Sequence, residues 1–345
     1  MEYHLLGHSG LRVSQMALGT MTFGEDWGWG APKEEAGRIY DLYREAGGNF
    51  IDTANVYTNG TSEMFLGEFM KGHRSSMVLS TKFTNAMPSA DPNAAGNHRK
   101  SMFQALEASL KRLQTDYIDL YWLHIWDQIT PVEEVMRAFD DAVRQGKVLY
   151  TGVSDAPAWW IAQANTLATL SDWTPFIALQ VEYSLMERTV ERELIPAAKA
   201  LELGVTSWSP LAGGVLTGKY HADTPEAGAR LSLDTMKDFV PQQERAQRVV
   251  AAVKQVAQET QKSMAQVALA WLRYRPVPVI PILGARKLQQ LQDNLASLEL
   301  ELSPEQLDLL DRASHVDLGF PYEFLNRQRV RMLVTGGMGD RILAA

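Results

Sequence analysis

The sequence predicts an α/β fold of the (β/α)8 TIM-barrel class, with residues 1–345 forming one domain. Two observations lead to this prediction. Apolar runs of strand length alternate with helix-like segments between residues 15 and 298, and such alternation favours parallel strands joined by right-handed crossovers. Several of these runs also end in a polar residue, as barrel strands do on the face where this fold class places its sites.

An N-terminal hairpin is predicted over residues 1–13, because apolar residues flank the turn sequence GHSG. The eight barrel strands are predicted at residues 15–20, 49–54, 77–82, 117–124, 148–154, 176–184, 205–210 and 277–283. The helices are predicted at residues 33–47, from 62, around 102–113, from 130, from 157, and at 189–202, 243–260, 263–273 and 286–298.

Helix ends are predicted from residues with strong conformational preferences. Ser62 is a plausible N-cap, Pro131 suits the first helical position, and Gly47 ends a helix. The eighth strand fits less well, because it contains two prolines, which are disfavoured in central strands. We place Pro278 near the start of that strand and Pro281 at its exit.

Three segments are longer than ordinary loops, and all follow the same barrel face. They are residues 84–97, the glycine-rich residues 211–242, and a C-terminal extension over residues 313–345. Long loops are typical of lids and binding segments, although they can also be mobile segments without a function. The extension carries three aromatic residues that could close over a site: Phe320, Tyr322 and Phe324.

Composition excludes several classes of function. The chain has 41 acidic and 33 basic residues, so it lacks the positive charge that dominates nucleic-acid binding. It has no cysteine, which excludes disulfides, thiolate zinc sites and cysteine nucleophiles, and we assign no metal. No signal peptide is recognisable, and no apolar run approaches the roughly 18 residues of a membrane span. We therefore expect a cytoplasmic protein that does not bind membranes.

Four polar side chains are expected to meet at the carboxyl ends of neighbouring strands. The run NFIDTANVY ends a strand at Asp52 and places Tyr57 in the following loop, and the next two strands deliver Lys82 and His124. A buried lysine needs a partner, and Asp52 on the adjacent strand is the natural one. An ammonium group close to a phenol makes the phenol a better proton donor. Taken alone, each residue could equally be an ordinary packing or surface residue.

This order of strand–Asp–Tyr, strand–Lys and strand–His resembles the aldo-keto reductases, in particular bacterial members similar to aryl-alcohol dehydrogenases. Further matches extend from LGTMTFG at residues 18–24 to ILGARKLQQLQDN at residues 282–294, and so cover nearly the whole chain. The resemblance implies an NADP(H)-dependent oxidoreductase of the EC 1.1.1 type. Such an enzyme reversibly reduces an aldehyde or ketone to an alcohol.

By this resemblance, Tyr57 would be the general acid that protonates the carbonyl oxygen. Asp52 and Lys82 would adjust the acidity of Tyr57, and His124 would help to orient the carbonyl. Donors fixed around one oxygen stabilise the negative charge that develops there, so the four residues form a coherent catalytic group.

The resemblance also assigns residues that would hold NADPH or NADP+. The nicotinamide and its ribose would contact Thr20, Met21, Asp52, Ser154, Asp155, Gln180 and Trp208. The pyrophosphate would be wrapped by Ser209, Leu211, Gly213 and Lys219, and the adenosine end would contact Gly284, Arg286, Gln290 and Asn294. Arg286 would bind the 2′-phosphate, since a guanidinium group pairs well with phosphate oxygens, and this favours NADPH over NADH.

The chain departs from the family pattern after the fifth strand. Ser-Asn is usual there, whereas this chain has Ser154-Asp155. An ionised carboxylate accepts hydrogen bonds but cannot donate them. Asp155 would therefore play a reduced role toward the carboxamide, or that contact would be rearranged.

The substrate is expected to be a small carbonyl or alcohol compound with an apolar or aryl group. This expectation rests on aromatic residues at or just after the strand ends, namely Trp27, Trp29, Phe83 and Trp126. The same rings could instead seal the rim of the barrel against solvent. The sequence does not indicate an oligomeric state.

Two other functions stay open. One is a barrel that binds NADPH as a sensor and regulates a partner, resembling the potassium-channel beta subunits. The other is a barrel lyase or isomerase that uses no nicotinamide. Nucleotide hydrolysis is not supported, because GGVLTGKY at residues 213–220 has Tyr220 where a phosphate-binding loop needs Ser or Thr. A Rossmann dehydrogenase is not supported either, since no G-x-G-x-x-G follows a strand.

Overall fold

The computed structural model describes residues 1–86, 89–219 and 243–342. Within them, eight parallel strands close into a barrel, which confirms the predicted fold class. The N-terminal hairpin is also confirmed, and it consists of β1 (Tyr3–Leu5) and β2 (Arg12–Ser14). The barrel strands are β3 (Ala17–Gly19), β4 (Phe50–Asp52), β5 (Val78–Phe83), β6 (Ile118–Leu123), β7 (Val148–Ser154), β8 (Phe176–Glu182), β9 (Gly204–Trp208) and β10 (Val279–Gly284).

Helices alternate with the barrel strands. Those that follow successive strands are α1 (Lys33–Glu45), α2 (Thr61–Phe69), α3 (Arg99–Leu113), α4 (Val132–Arg144), α5 (Ala158–Leu170), α6 (Leu194–Ala200), α7 (Gln243–Thr260), α8 (Met264–Leu272) and α9 (Leu288–Leu295). Three more follow near the C-terminus: α10 (Pro304–Ser314), α11 (Tyr322–Leu325) and α12 (Gln328–Val334). Among the described residues, no helix combines the length and apolarity needed to cross a membrane.

Alternation along each strand separates two apolar layers. In β6, Leu120 and Trp122 belong to one buried cluster with side chains of other strands and of the hairpin, whereas Tyr121 and Leu123 belong to a second. The second cluster contains the buried faces of the helices, including Phe139 of α4. Successive side chains of β6 therefore face the barrel interior and the helical layer alternately.

A buried tryptophan occupies the barrel interior near the carboxyl ends of the strands. Trp122 is aligned with Gly152 of β7, and Gly152 is aligned with Ala178 of β8. Ala178 is in turn aligned with Gly204 of β9, so the next three strands carry small residues at this level. A Cβ atom at Gly152 would lie 2.3 Å from Cε3 of Trp122, so only glycine leaves room for the indole. Trp122 is also aligned with Lys82 of β5, so the indole and the lysine lie at the same level of the barrel.

The hairpin closes the opposite, N-terminal end of the barrel. Leu6 and Val13 are fully buried in the interior cluster with residues such as Phe50. The turn approaches the barrel so closely that a Cβ atom on Gly7 would lie 2.0 Å from the carbonyl oxygen of Ile177. Gly7 also has a φ of 58°, a conformation that favours glycine.

Some predicted details differ in the structure. The prediction of Ser62 as an N-cap is wrong, because α2 begins at Thr61 after Gly60. The Ser62 hydroxyl instead donates to the carbonyl oxygen of Thr20 at 2.8 Å, which ties α2 to the end of β3. Pro131 is the N-cap of α4, one position before the predicted one. The predicted helix at residues 189–202 is divided into a 3-10 turn and α6.

The eighth strand forms in spite of its prolines. Pro278 precedes β10, as predicted, whereas Pro281 lies within the strand. Pro281 is the last residue aligned with β9, and Ile282 is the first aligned with β3. The proline thus occupies the point where β10 changes neighbours.

The C-terminal part contains more helix than the sequence predicted. Helix α10 was not predicted, and α11 and α12 lie within the segment predicted as a loop. The predicted long loops at residues 84–97 and 211–242 are described only in part, because residues 87–88 and 220–242 lie outside the described residues. The first residues of the second loop form a 3-10 turn over Ala212–Thr217.

Candidate active site

A fully buried lysine lies at the centre of the residues predicted to be catalytic. Lys82, near the end of β5, has a side-chain exposure of 0%. Its ammonium group donates to Oδ2 of Asp52 at 2.5 Å, to the carbonyl oxygen of Thr53 at 2.9 Å and to the hydroxyl of Tyr57 at 3.2 Å. These three contacts use all three hydrogens of the ammonium group, so its position is fixed by the ends of two strands and one loop.

Electrostatics keep Lys82 charged in spite of its burial. Burial alone would lower the pKa of Lys82, but Asp52 and Tyr57 outweigh it and raise the pKa above its usual value. Asp52 is itself held by two further donors, since its Oδ1 accepts from Ser80 Oγ and from Gln180 Nε2, each at 3.0 Å. The carboxylate is therefore fully engaged and is suited to holding the ammonium group in place.

Tyr57 and His124 border the same space above Lys82. Their rings meet edge to face, with centroids 6.0 Å apart and an interplanar angle of 80°. Tyr57 follows β4 on a short 3-10 turn, and His124 directly follows β6. The structure therefore brings together all four predicted catalytic residues, from consecutive strands.

His124 is held as a neutral base. Burial, together with the positive charge of Lys82, lowers the pKa of His124 to about 3. Its Nδ1 lies 3.3 Å from Nδ2 of Asn85, a residue two positions beyond the end of β5. Sequence reasoning missed Asn85, although a polar residue so soon after a catalytic strand was a usable signal.

The predicted nicotinamide residues Ser154 and Gln180 form a donor and acceptor pair. They are aligned at the ends of β7 and β8, and both are buried. The Ser154 hydroxyl has no hydrogen-bond partner among the described residues. Gln180 uses its amide nitrogen on Asp52, which leaves its amide oxygen as an acceptor. A hydroxyl donor beside an amide acceptor fits a primary carboxamide, which has one carbonyl oxygen and one NH2 group.

Asp155 contacts Trp208 across the barrel mouth. The indole nitrogen of Trp208, the last residue of β9, donates to Oδ1 of Asp155 at 3.0 Å. The backbone oxygen of Asp155 also accepts from the backbone nitrogen of Trp126, at 3.3 Å. The side chain of Asp155 thus acts as an acceptor that holds the Trp208 ring, a contact that the amide oxygen of the usual asparagine can also make.

Thr20 and Met21 follow β3 beside the catalytic group. Thr20 is fully buried, and its hydroxyl donates to the backbone oxygen of Asp52 at 3.2 Å while accepting from Ser62 at 2.8 Å. Met21 is half-buried immediately after it. Thr20 therefore supports the backbone of Asp52, and Met21 lies at the rim.

The predicted pyrophosphate segment is a tight turn after β9. Ser209, Ala212, Gly213 and Gly214 all have positive φ values, between 49° and 97°. Consecutive residues of this kind fold the backbone back sharply, and glycine allows a ligand to approach closely. All four residues predicted to wrap the pyrophosphate are half-buried, namely Ser209, Leu211, Gly213 and Lys219.

The predicted adenosine residues begin at the end of β10 and continue into α9. Gly284 is exposed, and a Cβ atom there would meet nothing within 4 Å. The amide oxygen of Gln290 accepts from the backbone nitrogens of Arg286 and Lys287, at 2.9 and 3.2 Å, and so caps the N-terminus of α9. Asn294 lies one turn further along the same helix and is buried.

Three of the four predicted pocket aromatics are half-buried in the loops that follow β3 and β6. Trp27 and Trp29 contact each other, with ring centroids 6.0 Å apart, and Trp27 donates to the side chain of Asn59 at 3.2 Å. Trp126 packs against Trp159 and Trp160 of α5, with centroids at 5.5 and 6.4 Å.

Phe83 is not at the rim, which corrects its assignment to the pocket. It is fully buried in the helical layer, where its ring stacks on Tyr121 at 5.3 Å and meets Phe139 at 5.7 Å. The reason is strand alternation: Lys82 points into the barrel, so the next residue of β5 points outward. Among the described residues, no group of three or more His, Asp or Glu side chains is arranged to hold a metal ion.

Comparison with known proteins agrees with this arrangement of strands and side chains. Residues 15–315 match the Aldo/keto reductase family. A norsolorinic acid reductase from Aspergillus flavus is 38% identical over 335 residues, which cover 94% of this chain and 84% of that protein. An aryl-alcohol dehydrogenase (NADP+) from Phanerodontia chrysosporium is 38% identical over 335 residues, covering 91% of this chain and 86% of its own length.

A putative aryl-alcohol dehydrogenase from Saccharomyces cerevisiae is 35% identical over 325 residues, covering 91% of this chain and 86% of that protein. The predicted likeness to aryl-alcohol dehydrogenases is confirmed, whereas a bacterial origin stays a prediction. On this similarity along most of its length, the chain belongs to the aldo/keto reductase family of oxidoreductases.

Proposed function

We propose that the protein uses NADPH to reduce an aromatic aldehyde or ketone to its alcohol, and that it also catalyses the reverse reaction. The observation that carries this proposal is the contact of Lys82 with both Asp52 and Tyr57. A phenol beside a fixed ammonium group is a better proton donor than a phenol in water. The arrangement therefore suits protonation of an oxygen at the catalytic face.

In the proposed reaction, Tyr57 donates its phenolic proton to the carbonyl oxygen as negative charge develops there. Lys82 stabilises the phenolate that remains, and Asp52 keeps the ammonium group charged and in place. His124 is neutral and can donate a hydrogen bond that orients the same oxygen. Bound NADPH would supply the hydride that reduces the carbonyl carbon.

Support for a nicotinamide cofactor comes from the buried residues around Asp52. Ser154 and Gln180 offer the donor and acceptor that a carboxamide needs. Trp208 is held at the same mouth by Asp155, where its ring can cover a planar group. The relative from Phanerodontia chrysosporium is named as an NADP+ enzyme, which favours NADPH for this chain.

Support for an aromatic substrate comes from the rim and from the relatives. Trp27, Trp29 and Trp126 border the catalytic face, and aryl groups bind well against such rings. Two of the relatives are named as aryl-alcohol dehydrogenases.

Replacing Arg286 with alanine is expected to weaken NADPH binding by roughly tenfold or more, because a guanidinium–phosphate pair is a strong charge-assisted contact. NADH lacks the 2′-phosphate, so its affinity should change by less than about threefold by the same reasoning. Both dissociation constants can be measured by fluorescence titration. The matched control is Lys287→Ala, which removes the exposed neighbouring cation. Equal losses for the two cofactors would remove Arg286 from the 2′-phosphate site.

The proposed function is tested by following NADPH oxidation with 4-nitrobenzaldehyde and a panel of other carbonyl compounds. We expect turnover with aryl aldehydes, and NADP+ reduction when the corresponding alcohols are supplied. Tight NADPH binding with no turnover on the panel would instead support a sensor that regulates a partner. Absence of NADPH binding would contradict both proposals.

A further inference from the structure

We propose that Asn85 determines the tautomer of His124, and that it does so by donating a hydrogen bond to Nδ1 of the ring. The donor is the amide nitrogen Nδ2 of Asn85, which lies 3.3 Å from His124 Nδ1. This inference rests on the proposed function, because it explains how His124 presents a hydrogen to the substrate oxygen. Asn85 is thus a positioning residue, since it acts through His124.

The argument begins with what each nitrogen can do. An amide nitrogen only donates hydrogen bonds, so the ring atom that faces it must carry a lone pair. A neutral imidazole has one proton, and a lone pair on Nδ1 places that proton on Nε2. Since the pKa of His124 is lowered to about 3, the ring is neutral at ordinary pH, and the choice of tautomer decides which nitrogen can donate.

The backbone around Asn85 is held from both sides. Thr84 has a φ of 92°, a left-handed value that is unusual for threonine and turns the chain sharply after β5. The Thr84 hydroxyl accepts from the side chain of Asn97 at 2.7 Å, and its backbone oxygen accepts from the nitrogen of Gly96 at 2.8 Å. The backbone oxygen of Asn85 accepts from the side chain of Asn55 at 2.9 Å.

These contacts connect Asn85 to the catalytic loop as well. Asn55 lies between Asp52 and Tyr57, and its backbone nitrogen donates to the backbone oxygen of Lys82 at 3.2 Å. A strained turn that is stabilised at several points is typical of a residue held for function. The backbone of Asn85 is therefore held by the same loop that carries the proposed acid.

Several titratable groups lie near His124 or act on its neighbour Lys82, but burial and Lys82 set its charge. Lys82 of β5 disfavours the imidazolium form, and its ammonium charge is balanced by Asp52 of β4. Tyr57 contacts the ring edge to face from the loop after β4. Asp155, after β7, interacts electrostatically with Lys82. All of these groups are unchanged in a variant at residue 85, so such a variant isolates the effect of the amide.

Asn85→Asp is the sharpest test, because aspartate has nearly the same shape but can only accept. A carboxylate beside Nδ1 favours imidazolium and raises the pKa of His124. Below the raised pKa both ring nitrogens carry hydrogen, so the Nε2 donor is retained. Above it, the remaining proton stays on Nδ1 against the carboxylate, and Nε2 becomes a bare acceptor. The reductase rate of the variant should therefore fall as the pH rises.

Two measurements on the full-length protein test the proposal. Nitrogen-15 NMR of histidine-labelled protein reports the tautomer directly, with the His124 signals assigned by their loss in His124→Phe. We expect the Nε2–H form in the wild type and the Nδ1–H form in Asn85→Asp at high pH. A neighbouring carboxylate raises a pKa by about 1–3 units, and the pKa of His124 starts from about 3. The pH profile of kcat should therefore show a fall of roughly tenfold or more between about pH 4 and pH 7 in this variant, beyond any fall in the wild type.

Two further variants serve as controls. Asn85→Ala removes the donor without adding a charge, so it should lose less activity than Asn85→Asp at high pH. Its pH profile of kcat should show no additional step compared with the wild type. Asn93→Asp adds the same charge at an exposed position of the same loop, and its profile should follow the wild type.

An Nδ1–H tautomer in the wild type, or a pH profile of Asn85→Asp that parallels the wild type, would overturn the inference. The NMR measurement requires no turnover, so it separates this inference from the proposed function. Undiminished turnover in His124→Phe would instead contradict the role that the proposed function gives to His124.

Discussion

Tyr57→Phe is expected to lose about 10²- to 10⁴-fold in kcat while keeping its affinity for NADPH, because it removes only the proton that the carbonyl oxygen would receive. The ring stays in place, so its edge-to-face contact with His124 should persist. Lys82 keeps its contacts with Asp52 and with the backbone of Thr53. Rates are measured by NADPH oxidation with an aryl aldehyde, and affinity by fluorescence titration.

The matched control is Tyr3→Phe, which removes the same hydroxyl from an exposed residue of the N-terminal hairpin. The Tyr3 hydroxyl donates to the backbone oxygen of Gly47, far from the catalytic face. The kcat of this control variant should equal that of the wild type. If Tyr57→Phe also kept kcat within about threefold, the assignment of Tyr57 as general acid would be wrong.

Lys82→Met is expected both to abolish turnover and to destabilise the fold by about 3–5 kcal/mol, since it leaves the buried Asp52 carboxylate without its cation. Methionine has a similar length, so the loss comes mainly from charge and hydrogen bonding. Thermal unfolding measures the stability, and the aldehyde assay measures turnover.

A second substitution separates the two effects. In Lys82→Met/Asp52→Asn, the asparagine oxygen can still accept from Ser80 and Gln180, while the unpaired charge is gone. We expect the double variant to be more stable than Lys82→Met and equally inactive. A double variant no more stable than the single one would show that the ion pair does not account for the stability.

The sequence was sufficient to predict the barrel and the meeting of Asp52, Tyr57, Lys82 and His124. Both depend on simple rules, namely alternation of strands with helices and convergence of strand ends on one face. The misplacement of Phe83 was avoidable, because its neighbour Lys82 was already predicted to face the barrel and adjacent strand residues face opposite ways. Helix α10 was also foreseeable, since Ser303 and Gln306 form a capping box with Pro304 between them.

Contacts between separate loops were beyond sequence reasoning. The hydrogen bond from Trp208 to Asp155 and the approach of Asn85 to His124 join residues at or just beyond the ends of different strands. Their geometry depends on left-handed residues such as Thr84 and Asp155, with φ values of 92° and 45°. A non-glycine residue gives little sign in the sequence that it will adopt such a conformation.

The N-terminal hairpin has a consequence for proton supply. Each reduction by the proposed mechanism uses up one proton, and Tyr57 must recover it before the next cycle. Leu6 and Val13 are fully buried at the far end of the barrel, in an apolar cluster that disfavours water. We therefore expect Tyr57 to be reprotonated from the face at which the substrate enters, so a bulky bound molecule would slow both reprotonation and product exit.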